Sequence, residues 1–137
     1  AYERSGPERF LETIAVLHGL IHAAGQAPEP RTAEGIGRLV AQVATLRQMS
    51  LSVAGMLHDG KVPEVEAAVV KEMGTNWEQA LPGTARDLVP DIIVEPGNRE
   101  QLDEILRQAT LIAPKLTIQG GTREVLRGII ARGLGLR

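Results

Sequence analysis

The sequence predicts an all-α fold, an antiparallel four-helix bundle with a short C-terminal helix, as a single domain over residues 1–137. Three observations predict it. Apolar residues recur at three- and four-residue spacing through most of the chain. The 15 glycines and 8 prolines fall mostly between those stripes, where they act as punctuation. Only Ile92-Ile93-Val94 has strand character, and one isolated strand cannot make a sheet.

Ser5, Gly6 and Pro7 read as the start of the first helix, since proline in a first turn lacks an N–H that would have had no partner there. Phe10, Ile14, Leu17 and Ile21 form its stripe, Gly25 ends it, and Pro28 and Pro30 stiffen the connector. A second helix is expected from Ala33 to His58, with Leu39, Val43, Leu46, Met49, Val53 and Met56 on one face and Asp59-Gly60 closing it. Pro63 restarts the pattern. Val65, Val69, Met73 and Trp77 carry the third stripe, with a break or kink expected at Pro82-Gly83. Asn98 is the expected N-cap of a fourth helix bearing Leu102, Ile105, Ala109 and Ile112, stopped by Pro114. Thr122 caps a fifth, with Val125, Leu126, Ile129 and Ile130. Each stripe needs a partner surface, and ordering costs about 1–2 kcal/mol per residue, so the stripes must share one core.

Composition narrows the function classes. With no cysteine there is no disulfide frame, thiolate nucleophile or zinc-thiolate site. A formal net charge of −2 and three aromatic residues, Tyr2, Phe10 and Trp77, argue against a nucleic-acid surface, which would show a basic excess and often stacking rings. The apolar runs are far short of the roughly 20 residues that span a bilayer. No signal peptide opens the chain, and a cytoplasmic location fits best.

Four features bear on chemistry. His18 and His22 lie at i and i+4, one face of a helix, but a third ligand is missing nearby; partly buried histidines with no metal are the expected reading. His58 sits in a last helical turn, where a cation would complement the dipole. Glu3-Arg4 and Glu8-Arg9 repeat an acid-base pair; a carboxylate sheltered at a helix entrance can have a raised pKa and act as a base, whereas a solvated one is merely an exposed helix end. Gly120-Gly121 leading into a capping Thr122 leaves backbone N–H groups beside a side-chain-free approach, suited to an anionic or planar ligand, or serves as an ordinary connector.

The run Thr117-Ile118-Gln119-Gly120-Gly121-Thr122-Arg123-Glu124-Val125-Leu126-Arg127-Gly128-Ile129-Ile130-Ala131-Arg132-Gly133-Leu134-Gly135-Leu136 resembles the ending of acyl-CoA dehydrogenases, a pattern like T-I-x-G-G-T-S-E-I-x-R-x-I-I-A-x-x-x-L-G-L. Glu3-Arg4-Ser5-Gly6-Pro7-Glu8-Arg9-Phe10 resembles the entry to the last helical domain of bacterial members, and Lys71-Glu72-Met73-Gly74-Thr75-Asn76-Trp77-Glu78-Gln79 resembles their third bundle helix. The likeness covers essentially the whole chain.

The resemblance implies the C-terminal helical domain of a three-domain, FAD-dependent enzyme that desaturates an acyl-CoA thioester and passes electrons to an acceptor. It implies homo- or hetero-oligomers formed through the bundle, and an isolated domain without activity. In one branch the catalytic glutamate immediately precedes the final Gly-Thr, a position held here by Gly120; another branch places it at the start of the first bundle helix, where Glu3 matches best and Glu8 is the fallback. Gly120, Gly121, Thr122, Arg123 and Glu124 occupy the positions of the final flavin-contacting loop. Two family elements are missing. The Arg-x-x-Phe-Gly segment is not recognisable in Ala24 to Gly37, and Pro82-Gly83 or Pro96-Gly97 stands where Gly-Gly-x-Gly is expected. Those departures keep a second reading open, a noncatalytic helical assembly subunit of a hetero-oligomeric dehydrogenase. A free-standing bundle that binds a partner helix is the third.

Overall fold

The structure, a computed structural model, describes residues 12–92 and 96–136. Five α-helices follow one another: α1 (Ile14–Ala24), α2 (Pro30–His58), α3 (Glu64–Leu88), α4 (Pro96–Leu116) and α5 (Arg123–Gly133), with a 3-10 turn at Val89–Asp91. No strand occurs among the described residues. The first four helices form a square in which α1 packs on α2, α2 on α3, α3 on α4 and α4 on α1, with α1 and α3 also meeting across the diagonal. Side chains fix the antiparallel sense of α3 and α4: Lys71 reaches Leu116, Gln79 reaches Ala113, and Arg86 reaches Leu106 and Thr110. At the other end of the square Arg31, in the first turn of α2, pairs with Asp91 just beyond α3. Helix α5 docks outside the square, on α3, which therefore touches every other helix.

One core joins all of the square. Val16, Leu17 and Leu20 meet Leu39, Leu46 and Val53 from α2, Val70, Trp77, Leu81 and Ala85 from α3, and Leu102, Leu106 and Ala109 from α4. The heptad interval of Leu39, Leu46 and Val53 keeps one seam of the 29-residue α2 facing inward along its length.

Several boundaries differ from the sequence expectation. The start of the first helix, with Ser5-Gly6-Pro7 and Phe10, lies outside the described residues. Within α1, Val16 and Leu20 are buried while Ile21 is exposed, because the inward face is wide enough to meet α2, α3 and α4 and is centred one position away from the expected stripe. Met73 is exposed for a similar reason. The inner face of α3 instead runs through Val70, Trp77, Leu81 and Ala85. Helix α2 begins at Pro30 rather than Ala33, since Pro30 takes a first-turn position and the Ala33 N–H donates to the Glu29 carbonyl at 2.9 Å.

Pro82 does not break α3. Its flanking residues Leu81 and Ala85 are wholly buried, and Pro82 is itself buried, so packing on both sides compensates for the missing backbone bond. Pro114 likewise lies inside α4, which continues to Leu116. The chain then closes on itself as the Thr117 hydroxyl donates to the Pro114 carbonyl at 2.7 Å. Asn98 falls within the first turn of α4 instead of capping it, because the helix starts two residues earlier at Pro96. Ile92 is extended and buried, directly after the 3-10 turn, and Ile93 and Val94 lie outside the described residues.

Candidate functional site

The loop between α4 and α5 has the conformation its glycines allow. Gly120 and Gly121 adopt φ of +79° and +113°, left-handed backbone that side chains disfavour. Among the described residues, the N–H groups of Gly120 and Gly121 donate no backbone hydrogen bond. Thr122 then caps α5 in an extended conformation, its Oγ1 accepting from the Val125 N–H at 3.4 Å. The expected cap and the start of the fifth helix are therefore both present.

Beside this loop is a cleft of about 260 Å³ between the end of α2, the start of α3 and the face of α5 that carries Val125, Leu126 and Ile129. Leu57, Ala67, Val125 and Ile129 supply apolar walls, Gly120 and Gly121 a rim without side chains, and Lys71, Glu64 and Arg132 the charged groups of its lining. A planar ring system with a polar border suits a surface of this kind: the loop offers N–H donors, its two glycines bring no side chain to the rim, and the nearest heavy atom to a Cβ built on Gly121 is Leu126 Cδ2 at 3.8 Å.

The two charged residues after the cap have different surroundings. Arg123 turns toward α3, where its Nε and Nη2 donate to Glu72 Oε1 at 3.3 and 3.2 Å. Arg127, one turn later, donates from Nε to the same oxygen at 2.9 Å, and Asn76 Nδ2 lies 3.5 Å away. Burial pushes the Glu72 carboxyl upward, but the bonds from Arg127 and Arg123 outweigh it and hold the pKa below the usual value. Glu124 is exposed; a hydrogen bond with its own backbone and one with the Thr122 hydroxyl hold its carboxyl low, so it carries negative charge at the mouth of the loop.

Beneath the loop, α3 turns three polar side chains inward at one-turn intervals: Lys71, Thr75 and Glu78 are 5%, 1% and 1% exposed. Lys71 Nζ donates to Thr75 Oγ1 at 2.7 Å and to the Leu116 carbonyl at 3.3 Å. Glu78 accepts from Thr13 Oγ1 at 3.5 Å, at the entrance to α1. Burial raises its pKa to about 7, assisted by the negative charge of Glu12 and opposed by Lys71 and the Thr13 hydrogen bonds. Glu12 in turn pairs with Lys115 at 3.1 Å across the same end of the bundle.

Of the residues singled out from sequence, Gly120, Gly121, Thr122, Arg123 and Glu124 form one continuous surface feature. The candidate base Glu3 and its fallback Glu8 lie outside the described residues, N-terminal to the Thr13 that meets Glu78. His18 and His22 are exposed on α1 facing Asn98 and Gln101, and no group of three or more histidine and carboxylate residues that could hold a metal occurs among the described residues. Sequence reasoning assigned no role to Lys71, Glu72, Thr75, Glu78 or Arg127. The available signal was polar residues at i, i+4 and i+7 on a helix that must be buried on several sides, and two arginines one turn apart on α5.

No helix among the described residues is long and apolar enough to cross a membrane. The family model described as acyl-CoA dehydrogenase, C-terminal domain, matches residues 22–135. Among curated proteins no match is found.

Proposed function

The chain belongs to the acyl-CoA dehydrogenase family through its C-terminal domain, and from that premise we propose that it serves as the helical bundle of a three-domain FAD enzyme that introduces an α,β double bond into an acyl-CoA thioester. The observation that carries this reading is the Gly120-Gly121-Thr122 turn: left-handed, side-chain-free, and opening onto a cleft with apolar walls. FAD, when bound, supplies the hydride acceptor. The chain's own part is to present the N–H groups of Gly120 and Gly121 and the first turn of α5 to the ring's polar edge, with Thr122 fixing the turn and Arg123 pinning it to Glu72.

The base assigned to this chain is Glu3, with Glu8 as fallback. Its carboxylate takes the α-proton while the β-hydrogen leaves with its electron pair, so the thioester becomes an enoyl thioester and the base is left protonated. The partner in this reading would be an electron acceptor, protein or small molecule. In the same proposal the protein is cytoplasmic and oligomerises through this bundle, and the 137 residues alone do not turn over substrate.

The experiment is expression of the full-length gene product, its flavin absorption spectrum, and acyl-CoA turnover with an artificial electron acceptor. Bound FAD with activity in the wild type, and bound FAD without activity in Glu3→Gln, is the expected pair of results. Undiminished turnover in Glu3→Gln removes Glu3 and sends the assignment to Glu8.

One observation favours a noncatalytic assembly subunit instead. Pro82-Gly83 lies inside α3, so it forms no glycine-rich loop between the third and fourth helices. Only Pro96-Gly97 at the start of α4 remains near that place. A subunit of this kind would copurify with a second dehydrogenase-like chain and carry no flavin when expressed alone.

A further inference from the structure

A lysine that is 95% buried is unusual, because its ammonium must replace every water it loses. Lys71 does so in a way that joins two elements. Thr75, one turn along α3, takes one donor at 2.7 Å and sets the direction of the side chain. A second donor reaches across to the carbonyl of Leu116, the last residue of α4, at 3.3 Å. That carbonyl is one of the groups a helix end leaves without an intrahelical partner, and a cation there also complements the α4 dipole. From Leu116 the chain needs only three residues, Thr117 to Gln119, to reach Gly120.

We propose that Lys71 is a positioning residue for the Gly120–Glu124 loop: held by Thr75, it fastens the end of α4 to α3 and so sets where the loop sits above the cleft. In what it says of flavin, the proposal rests on the reading of this loop given under Proposed function. The loop is clamped twice against the same helix. Lys71 holds its start through Leu116, and the adjacent Glu72 holds its far side through Arg123. The segment between the clamps contains two left-handed glycines, which bring no side chain of their own to hold the turn. The clamped ends therefore help to set where that stretch sits. Lys71 also lines the cleft, so the group that fixes the loop is adjacent to whatever the loop holds.

The test uses the full-length protein and its Lys71→Met, Lys71→Arg and Thr75→Val variants, read by hydrogen exchange and by titration with FAD. In Lys71→Met, the amides of residues 117–119, which donate to the Pro114 and Lys115 carbonyls, are expected to exchange about tenfold faster or more, the scale of one charge-assisted hydrogen bond, while the amides of α2 keep their protection. Lys71→Arg should recover part of that protection and Thr75→Val should fall between. FAD affinity should follow the same order, with a shifted flavin absorption band in Lys71→Met.

Loop exchange within about twofold of wild type in a folded Lys71→Met, or loop and α2 amides loosening together, overturns the positioning role. If Lys71→Met does not fold, Thr75→Val decides: a loosened loop over an unchanged α2 supports the proposal and an unchanged loop overturns it. A wild type that takes up no FAD, combined with selective loosening in Lys71→Met, rejects the flavin reading and upholds the loop positioning.

Discussion

Arg127 of α5 donates from Nε to Glu72 Oε1 of α3 at 2.9 Å, and Arg123 shares the same oxygen. One carboxylate, 9% exposed, thus holds the short terminal helix to the bundle. Glu72→Gln should weaken that docking by about 1–3 kcal/mol, less than a fully buried pair because Arg127 is largely exposed. The pKa of Glu72 is lower folded than unfolded, so its contribution is complete above the unfolded value of 4.5 and fades as pH falls through the folded one. Urea titrations of wild type and Glu72→Gln should converge in acid and separate near neutrality.

That clamp also marks the limit of what the sequence discloses. The stripe Leu39, Leu46 and Val53 is legible because a long helix with one inward face repeats a simple period. Helix α3 is not legible in that way. It contacts four other helices, so the inward surface is broad enough to admit Lys71, Glu72, Thr75 and Glu78, and the single stripe through Met73 is misplaced. Proline 82 misleads for the same reason, since local preference predicts a break that burial between Leu81 and Ala85 overrides. The Gly120-Gly121-Thr122 turn is readable because positive φ and capping are local demands, met by the residues themselves. What anchors that turn comes from residues some fifty positions away, across a helix contact that no local pattern records.

Glycine substitutions should separate close approach from simple chain freedom. A Cβ on Gly133 would overlap Val65 Cγ2 and lie 3.1 Å from Cγ1, where α5 crosses α3. Gly133→Ala should cost about 1–3 kcal/mol by forcing the helices apart. Gly37, exposed in α2 with nothing within 4 Å of its Cβ position, should instead gain about 0.5–1 kcal/mol on replacement by alanine. Thermal melts of the two variants should shift in opposite directions.

The Thr122 cap makes a smaller, local prediction. Its bond to the Val125 N–H is long at 3.4 Å, so Thr122→Ala should cost about 0.5–1 kcal/mol, the lower part of the range for N-caps. Thr122→Ser should restore most of it. Amide exchange in the first turn of α5 should rise in the alanine variant while α2 and α4 are unaffected.

Glu78 sets a pH dependence of the opposite sign to that of Glu72. Its folded pKa is about 7 against a reference of 4.5, raised first by burial and then by Glu12, with Lys71 and Thr13 opposing. Between those values the folded state binds more protons than the unfolded one, so stability falls as pH rises through the window. The loss is complete above pH 7 and amounts to at most about 3 kcal/mol. Glu78→Gln keeps the shape and the ability to meet Thr13 but cannot ionise. It should therefore match wild type near pH 4.5, where the native carboxyl is protonated, and exceed it in stability above pH 7. Denaturant midpoints at pH 5, 6, 7 and 8 provide the measurement. Parallel curves for wild type and Glu78→Gln would mean that Glu78 titrates normally in the folded protein, and that Lys71 and Thr13 stabilise its anion as well as water does.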